Sequence, residues 1–134
     1  MSEENVELVG EAVEAFNRGD FDAALERMHP DIEWQTPDTF PDAATYRGRE
    51  AVREFWRTWR ETFRGFRLLL EECVPVGEHY VLASFRVSGE GTASGAGVES
   101  PVVFQLGEVR AGQVTWVRMF VTRSDALEAA RLRG

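Results

Sequence analysis

Asp38 and Asp42 lie in the proline-containing stretch Thr36 to Gly48, just after the short apolar segment Ile32-Glu33-Trp34. With Glu33 they make a group of carboxylates beside the mouth of any pocket behind that segment. A carboxylate there acts as a base if burial raises its pKa, whereas a solvated loop carboxylate stays ionised and idle. Asp38 is the candidate catalytic base. His29, before Pro30 at a predicted helix end, reads as a cap or structural contact, and His79 falls in a turn and reads as solvated. Cys73 has no histidine or helix N-terminus evidently near it, so it reads as a small buried apolar residue rather than a nucleophile. Two histidines and one cysteine argue against a structural zinc site. No metal and no cofactor is expected.

The elements that would position these groups follow from periodicity. Residues 49–63 form one amphipathic helix, with Ala51, Val52, Phe55, Trp56, Trp59 and Phe63 on one stripe and Arg53, Arg57, Arg60 and Glu61 on the other face. Three bulky aromatics within five residues need a wide partner surface. From Phe66 onward the period changes to 2, which supplies a sheet. Strands are predicted at 66–74, 80–88, 98–110 and 114–121, with the Gly/Ser/Thr-rich segment 89–97 as a hairpin loop. In the second strand Val81, Ala83, Phe85 and Val87 face one way and Tyr80, Leu82, Ser84, Arg86 and Ser88 the other. Pro101 marks an edge or a bulge. Before the central helix come a helix at 5–18 ended by Gly19, a second one capped by Asp20, and a short strand at 32–34. A terminal helix spans 125–131, with Ser124 as its N-cap.

At 134 residues this is one domain, 1–134, with a sizeable core. No apolar run approaches the roughly 20 residues that span a bilayer, so no membrane partner is expected. The start, Met-Ser-Glu-Glu-Asn, is acidic where a signal peptide is basic and then apolar, which points to the cytoplasm. The single cysteine fits a reducing compartment. A net charge of −8 disfavours nucleic acid.

Four stretches carry a family resemblance: 16–21 (FNRGDF), 29–34 (HPDIEW), 46–56 (YRGREAVREFW) and 112–118 (GQVTWVR), the last followed by 125–130 (DALEAA). In their order and spacing they resemble the SnoaL-like branch of the nuclear transport factor 2-like superfamily. The resemblance implies an α+β fold, a cone-shaped curved antiparallel sheet wrapped on a long helix with N-terminal helices. Members of that superfamily include isomerases, epoxide hydrolases, polyketide cyclases, ligand binders and dimeric accessory proteins, so the site must decide. The ketosteroid isomerase set falls on Thr36, Ala12 and Phe104, none of which can serve. The epoxide hydrolase set falls on Phe85, Val87 and Met119. A one-residue slip would bring in Arg86 and Ser88 but turn both to the other face. The Asp and His of the cyclases have no long-strand match.

What remains is an inward, mostly apolar set. It comprises Trp34 with Tyr46 as a closing residue, Phe55, Trp56 and Trp59 from the helix, and Phe85, Val87, Phe104, Val117 and Met119 from the sheet. Trp56 or Tyr46 could donate to a ligand carbonyl, although packing alone would also explain them, and the whole set could equally fill the cone as core. Arg86, Gln105, Trp116, Arg118 and Phe120 are placed on the convex side as a homodimer interface, because open Trp and Phe side chains are costly in water and aromatic and Arg residues are enriched at interfaces; the alternative is that the terminal helix covers them. The expected function is binding of a small apolar or aromatic molecule in the cone, without its relatives' acid–base set. The alternatives are an isomerase, cyclase or hydrolase on a polycyclic or terpenoid-like substrate using a pocket-mouth carboxylate, and a non-catalytic dimeric accessory protein.

Overall fold

The computed structural model describes residues 2–37, 44–91, 97–99 and 101–134. In chain order its elements are α1 (Ser2–Asn17), α2 (Phe21–Glu26), β1 (Met28–Gln35), β2 (Thr45–Arg47), α3 (Arg49–Thr62), β3 (Phe63–Val76), β4 (Tyr80–Gly91), β5 (Gly97–Glu99), β6 (Val103–Arg110), β7 (Gln113–Phe120) and α4 (Arg123–Arg133). The strands form one sheet in the order β2-β1-β7-β6-β4-β3, with β5 added beside β4. All pairs are antiparallel except β1 with β7, which run parallel with Trp34 beside Val117. This is the α+β cone: a curved sheet with α1, α2 and α3 inside its concave face.

The helices stop and start for local reasons. Gly19, at φ 80°, ends α1 in a left-handed conformation that suits glycine. Asp20 then caps α2 by accepting from the Ala23 N–H at 3.1 Å. No side chain caps α3, but Arg49 donates through Nε and Nη2 to the Met28 carbonyl at 2.9 and 2.6 Å, tying the helix start to β1. Thr122, not Ser124, caps α4, accepting from the Asp125 N–H at 3.2 Å. That helix begins two residues earlier than its apolar pattern suggests.

Several strand boundaries also differ from the periodicity. β1 starts at Met28, so His29-Pro30-Asp31 belongs to the strand. Proline is tolerated because the register with β7 is irregular between Met28 and Glu33, where no ladder N–H is required. The segment 36–48 contains β2, which pairs with β1. Phe63 leaves the helix with extended backbone and opens β3. The strand predicted at 98–110 is two, β5 and β6, interrupted around Pro101, and both pair with β4.

Two apolar layers hold the sheet. The inner one joins Val9, Phe16, Leu25, Ile32, Val52 and Trp56 to the concave strand residues Val81, Phe85 and Val117. The outer one packs Tyr80, Leu82, Leu106, Trp116 and Phe120 beneath Ala126 and Ala130 of α4. The expectation that Trp116 and Phe120 form an open face is overturned: α4 covers them, leaving 5% and 9% exposed. Arg133 lies over the Trp116 ring, its Cζ 3.7 Å from the centroid, and reaches Glu108 at 3.7 Å.

Candidate functional site

The concave face is not filled solid. A cavity of about 260 Å³ lies between α1, α3 and the sheet. Its walls follow from strand parity. β4 contributes Val81, Phe85 and Val87, as the alternation of that strand predicts. β7 contributes Val114, Val117 and Met119, and β1 contributes Met28 and Trp34. From the helices come Val9, Ala12, Val13 and Phe16 of α1 and Phe55, Trp56 and Trp59 of α3. Phe63, Phe66 and Leu68 of β3 complete that side.

The aromatic side chains divide into two groups. Trp56, 5% exposed, is wedged edge-on between Phe16 (5.3 Å between centroids) and Trp34 (5.8 Å). It is a fixed wall. Phe55, Trp59 and Phe63 are half-buried, and so lie toward the solvent side of the cavity. There Trp59 stacks on Phe63 at 5.9 Å and 13°, and Tyr46 stacks on Phe55 at 4.6 Å and 24°. Tyr46 is therefore a backing for Phe55 and not itself part of the cavity lining. The opposite end is closed by deeply buried Met28, Val81 and Val114.

β6 corrects the sequence reading. Phe104 pairs with Ser84 and packs in the outer layer, while Gln105 pairs with Ala83 on the inside. Val103, Gln105 and Gly107 therefore line the cavity, and Phe104 does not. Gln105 thus leaves the proposed dimer face, where Arg86 and Arg118 remain on the convex side. The alternation of β6 misled because neither of its faces is open to bulk solvent, one turning to the cavity and one lying under α4. Gly107, in phase with Gln105, was the available signal: a glycine inside a strand often marks space kept open.

Chemically the lining is nearly mute. Among the described residues on it none ionises, and Gln105 carries a polar amide there. Its amide hydrogen-bonds no described residue. The Trp34 indole Nε1–H is fully buried and also lacks an acceptor among the described residues. Among the described residues no group of three or more His, Cys, Asp or Glu side chains could hold a metal.

The other candidates are placed elsewhere. Asp38 and Asp42 lie outside the described residues. Glu33 bonds Arg47 and Gln35 along the β1–β2 pair. His29 accepts from the Asp31 N–H at 2.9 Å through Nδ1, a local structural contact. His79 sits in the β3–β4 turn, 3.9 Å from Glu78. Cys73 is half-buried with its Sγ 3.8 Å from the Val6 carbonyl, and burial pushes its thiol pKa up, away from nucleophilic use. Thr36 is a clasp: its hydroxyl donates to the Ala44 carbonyl at 3.2 Å and accepts from the Ala44 N–H at 2.9 Å, holding the two residues together at the end of the β1–β2 pair.

A family model described as the SnoaL-like domain matches residues 9–117. No curated protein gives a significant match. Many solved structures share the fold. Bal32a, from a soil-derived mobile gene cassette, is 23% identical over 96% of both chains, with a TM-score of 0.81. A nuclear transport factor 2-like protein from Burkholderia thailandensis E264 is 27% identical over 96% of both chains, with a TM-score of 0.76. TerC, co-crystallised with polyporic acid, is 21% identical over 93% of this chain and 96% of its own, with a TM-score of 0.76. Among the described residues no helix is long and apolar enough to cross a membrane.

Proposed function

Because the chain belongs to the SnoaL-like domain family, we propose that its cone is a binding site for a small, predominantly apolar or aromatic molecule. The observation that carries this is the open cavity of about 260 Å³ behind an aromatic mouth. Pockets for small ligands are concave, mostly apolar and provided with few polar groups. A core meant only to be core would close such a space, because interiors pack to crystal-like density and each void forfeits contacts. TerC, of the same fold, has been co-crystallised with polyporic acid, in line with a small-molecule role.

The absence of ionisable groups from the described lining favours binding over acid–base turnover. Turnover in this cone would call on a group such as Asp38, and an activity abolished by Asp38→Asn would replace the binding reading with a catalytic one. A homodimer stays as a proposal through the part of the convex face that α4 leaves open, where Leu69 and the Arg86–Glu71 pair lie. A single monomeric species in sedimentation velocity at micromolar protein would end it.

Native mass spectrometry of the purified protein, before and after denaturation, tests the binding reading. The expected result is an additional small-molecule mass that denaturation releases. A protein that carries nothing and takes up no aromatic probe at millimolar concentration overturns it.

A further inference from the structure

We infer that Gln105 is the specificity-determining group of the cavity, and that it selects an uncharged ligand of one or two fused rings carrying a hydrogen-bond donor and acceptor side by side, as a lactam or carboxamide does. The inference rests on the binding reading above and adds the chemistry of the ligand.

Its position comes from strand geometry. Gln105 stands on the concave face of β6 between Val103 and Gly107, about 6.8 Å from each along the strand. Val103 is half-buried near the aromatic mouth, and Gly107 pairs with Val81 and Val117, each 1% exposed, at the closed end. Gln105 is therefore part-way down the cavity. Gly107 brings no side chain, so an apolar chamber continues past the amide.

Its chemistry comes from its neighbours. The cross-strand partners on the same face are Ala83 and Met119, which offer an amide no strong hydrogen bond. Neither the carbonyl nor the NH₂ of Gln105 is engaged by a described residue, and the side chain faces the cavity. A polar group in an apolar wall is costly unless something bonds it. Both halves are satisfied at once, through two parallel hydrogen bonds, by a donor and an acceptor flanking one ligand carbon, as the N–H and C=O of a lactam do. A ketone satisfies one half, and a hydrocarbon neither.

The charge state of the ligand comes from the lining. Among the described residues no ionisable side chain lines the cavity to compensate a buried ion, which would lose its hydration without gaining a partner. The net charge of −8 further opposes an anion. A cavity of about 260 Å³ falls just below the range for drug-sized ligands, which sets the size at one or two rings.

The test is a calorimetric titration of three two-ring probes of matched size, tetralin (hydrocarbon), 1-tetralone (ketone) and 3,4-dihydro-2-quinolone (lactam), against the wild type and Gln105→Leu. The expected order on the wild type is lactam tightest, then ketone, then hydrocarbon. The lactam-to-hydrocarbon affinity ratio should fall about tenfold in Gln105→Leu, the size of one to two neutral hydrogen bonds. Comparing ratios cancels the cost of desolvating each probe. A ratio equal in both proteins overturns the inference and leaves the cavity as a binding site. Equal affinity of ketone and lactam for the wild type overturns the two-sided recognition. Failure of all three probes to bind folded wild type overturns the binding reading itself. The wild-type order is informative even if Gln105→Leu does not fold, and Gln105→Met, closer in shape, then supplies the comparison.

Discussion

Asn17 and Leu68 bond each other twice. The Asn17 amide donates to the Leu68 carbonyl at 2.9 Å, and the Leu68 N–H donates to the Asn17 Oδ1 at 2.8 Å. One side chain thus mimics a strand neighbour and fastens the end of α1 to β3, at the wall where Phe16, Phe66 and Leu68 face the cavity. Replacing Asn17 by Ala leaves two half-buried backbone groups without partners. The expected loss is about 2 kcal/mol, read from the midpoint of urea unfolding. An unchanged midpoint would show that water substitutes for the clasp.

Gly107 sets the depth of the cavity. A Cβ placed there would meet its nearest neighbour, the Trp116 carbonyl, at 3.9 Å, so the backbone accommodates a side chain. Gly107→Ala should stabilise the protein by about 0.5 kcal/mol through reduced chain entropy. Gly107→Val should fold and lose at least about tenfold in affinity for two-ring probes, since it fills the chamber beyond Gln105. Thermal melts and titration calorimetry check the two effects separately.

The tryptophans give a built-in reporter. Trp34, Trp56 and Trp59 line the cavity, whereas Trp116 lies on the other side of the sheet under Arg133. Trp116→Phe should keep the full ligand-induced change in fluorescence while lowering the background. It should also cost about 1 kcal/mol of stability through lost stacking with Arg133. A signal change that vanishes with Trp116 would place the ligand on the convex side.

Acid should loosen α4 first. Burial on its own would push the Glu108 carboxyl pKa up. Hydrogen bonds from Thr115 (2.7 Å) and Tyr80 (3.0 Å) and the charges of Arg110 and Arg133 outweigh it and hold the carboxyl below the ordinary 4.5. A depressed folded-state pKa means that Glu108 contributes stability at neutral pH, and that this contribution is lost as pH falls from about 4.5 through the lower folded value. Glu108→Gln should therefore be less stable than wild type at pH 7 and show a flatter loss below pH 4.5. Equal acid slopes in urea unfolding would contradict this.

How much of this was legible in the residues depended on how many faces of each element are buried. The α3 stripe and the parity of β4 were readable because each presents one apolar side to the cone. Phe85, Val87, Val117 and Met119 accordingly lie where periodicity put them. β6 was not readable, since Leu106 and Phe104 pack under α4 while Val103 and Gln105 face the cavity. The choice between a partner and the terminal helix as the cover over Trp116 was undecided for a related reason. α4 presents Ala126 and Ala130 to the sheet, and small side chains leave little trace in a hydrophobic pattern. The Thr36–Ala44 clasp rests on a backbone pairing that no composition rule announces.

The parallel pairing of β1 with β7 has a consequence for biosynthesis. Residues 28–35 leave the ribosome long before 113–120 are translated, and Met28, Trp34 and Gln35 can find their partners Val114, Val117 and Arg118 only once that later strand has emerged. Until then the aromatic side of α3 has an incomplete wall to pack against. Such late, long-range closure slows folding and leaves greasy surface available to chaperones or to neighbouring nascent chains. The last strand therefore acts as the latch that decides when, and whether, the cone closes in the cell.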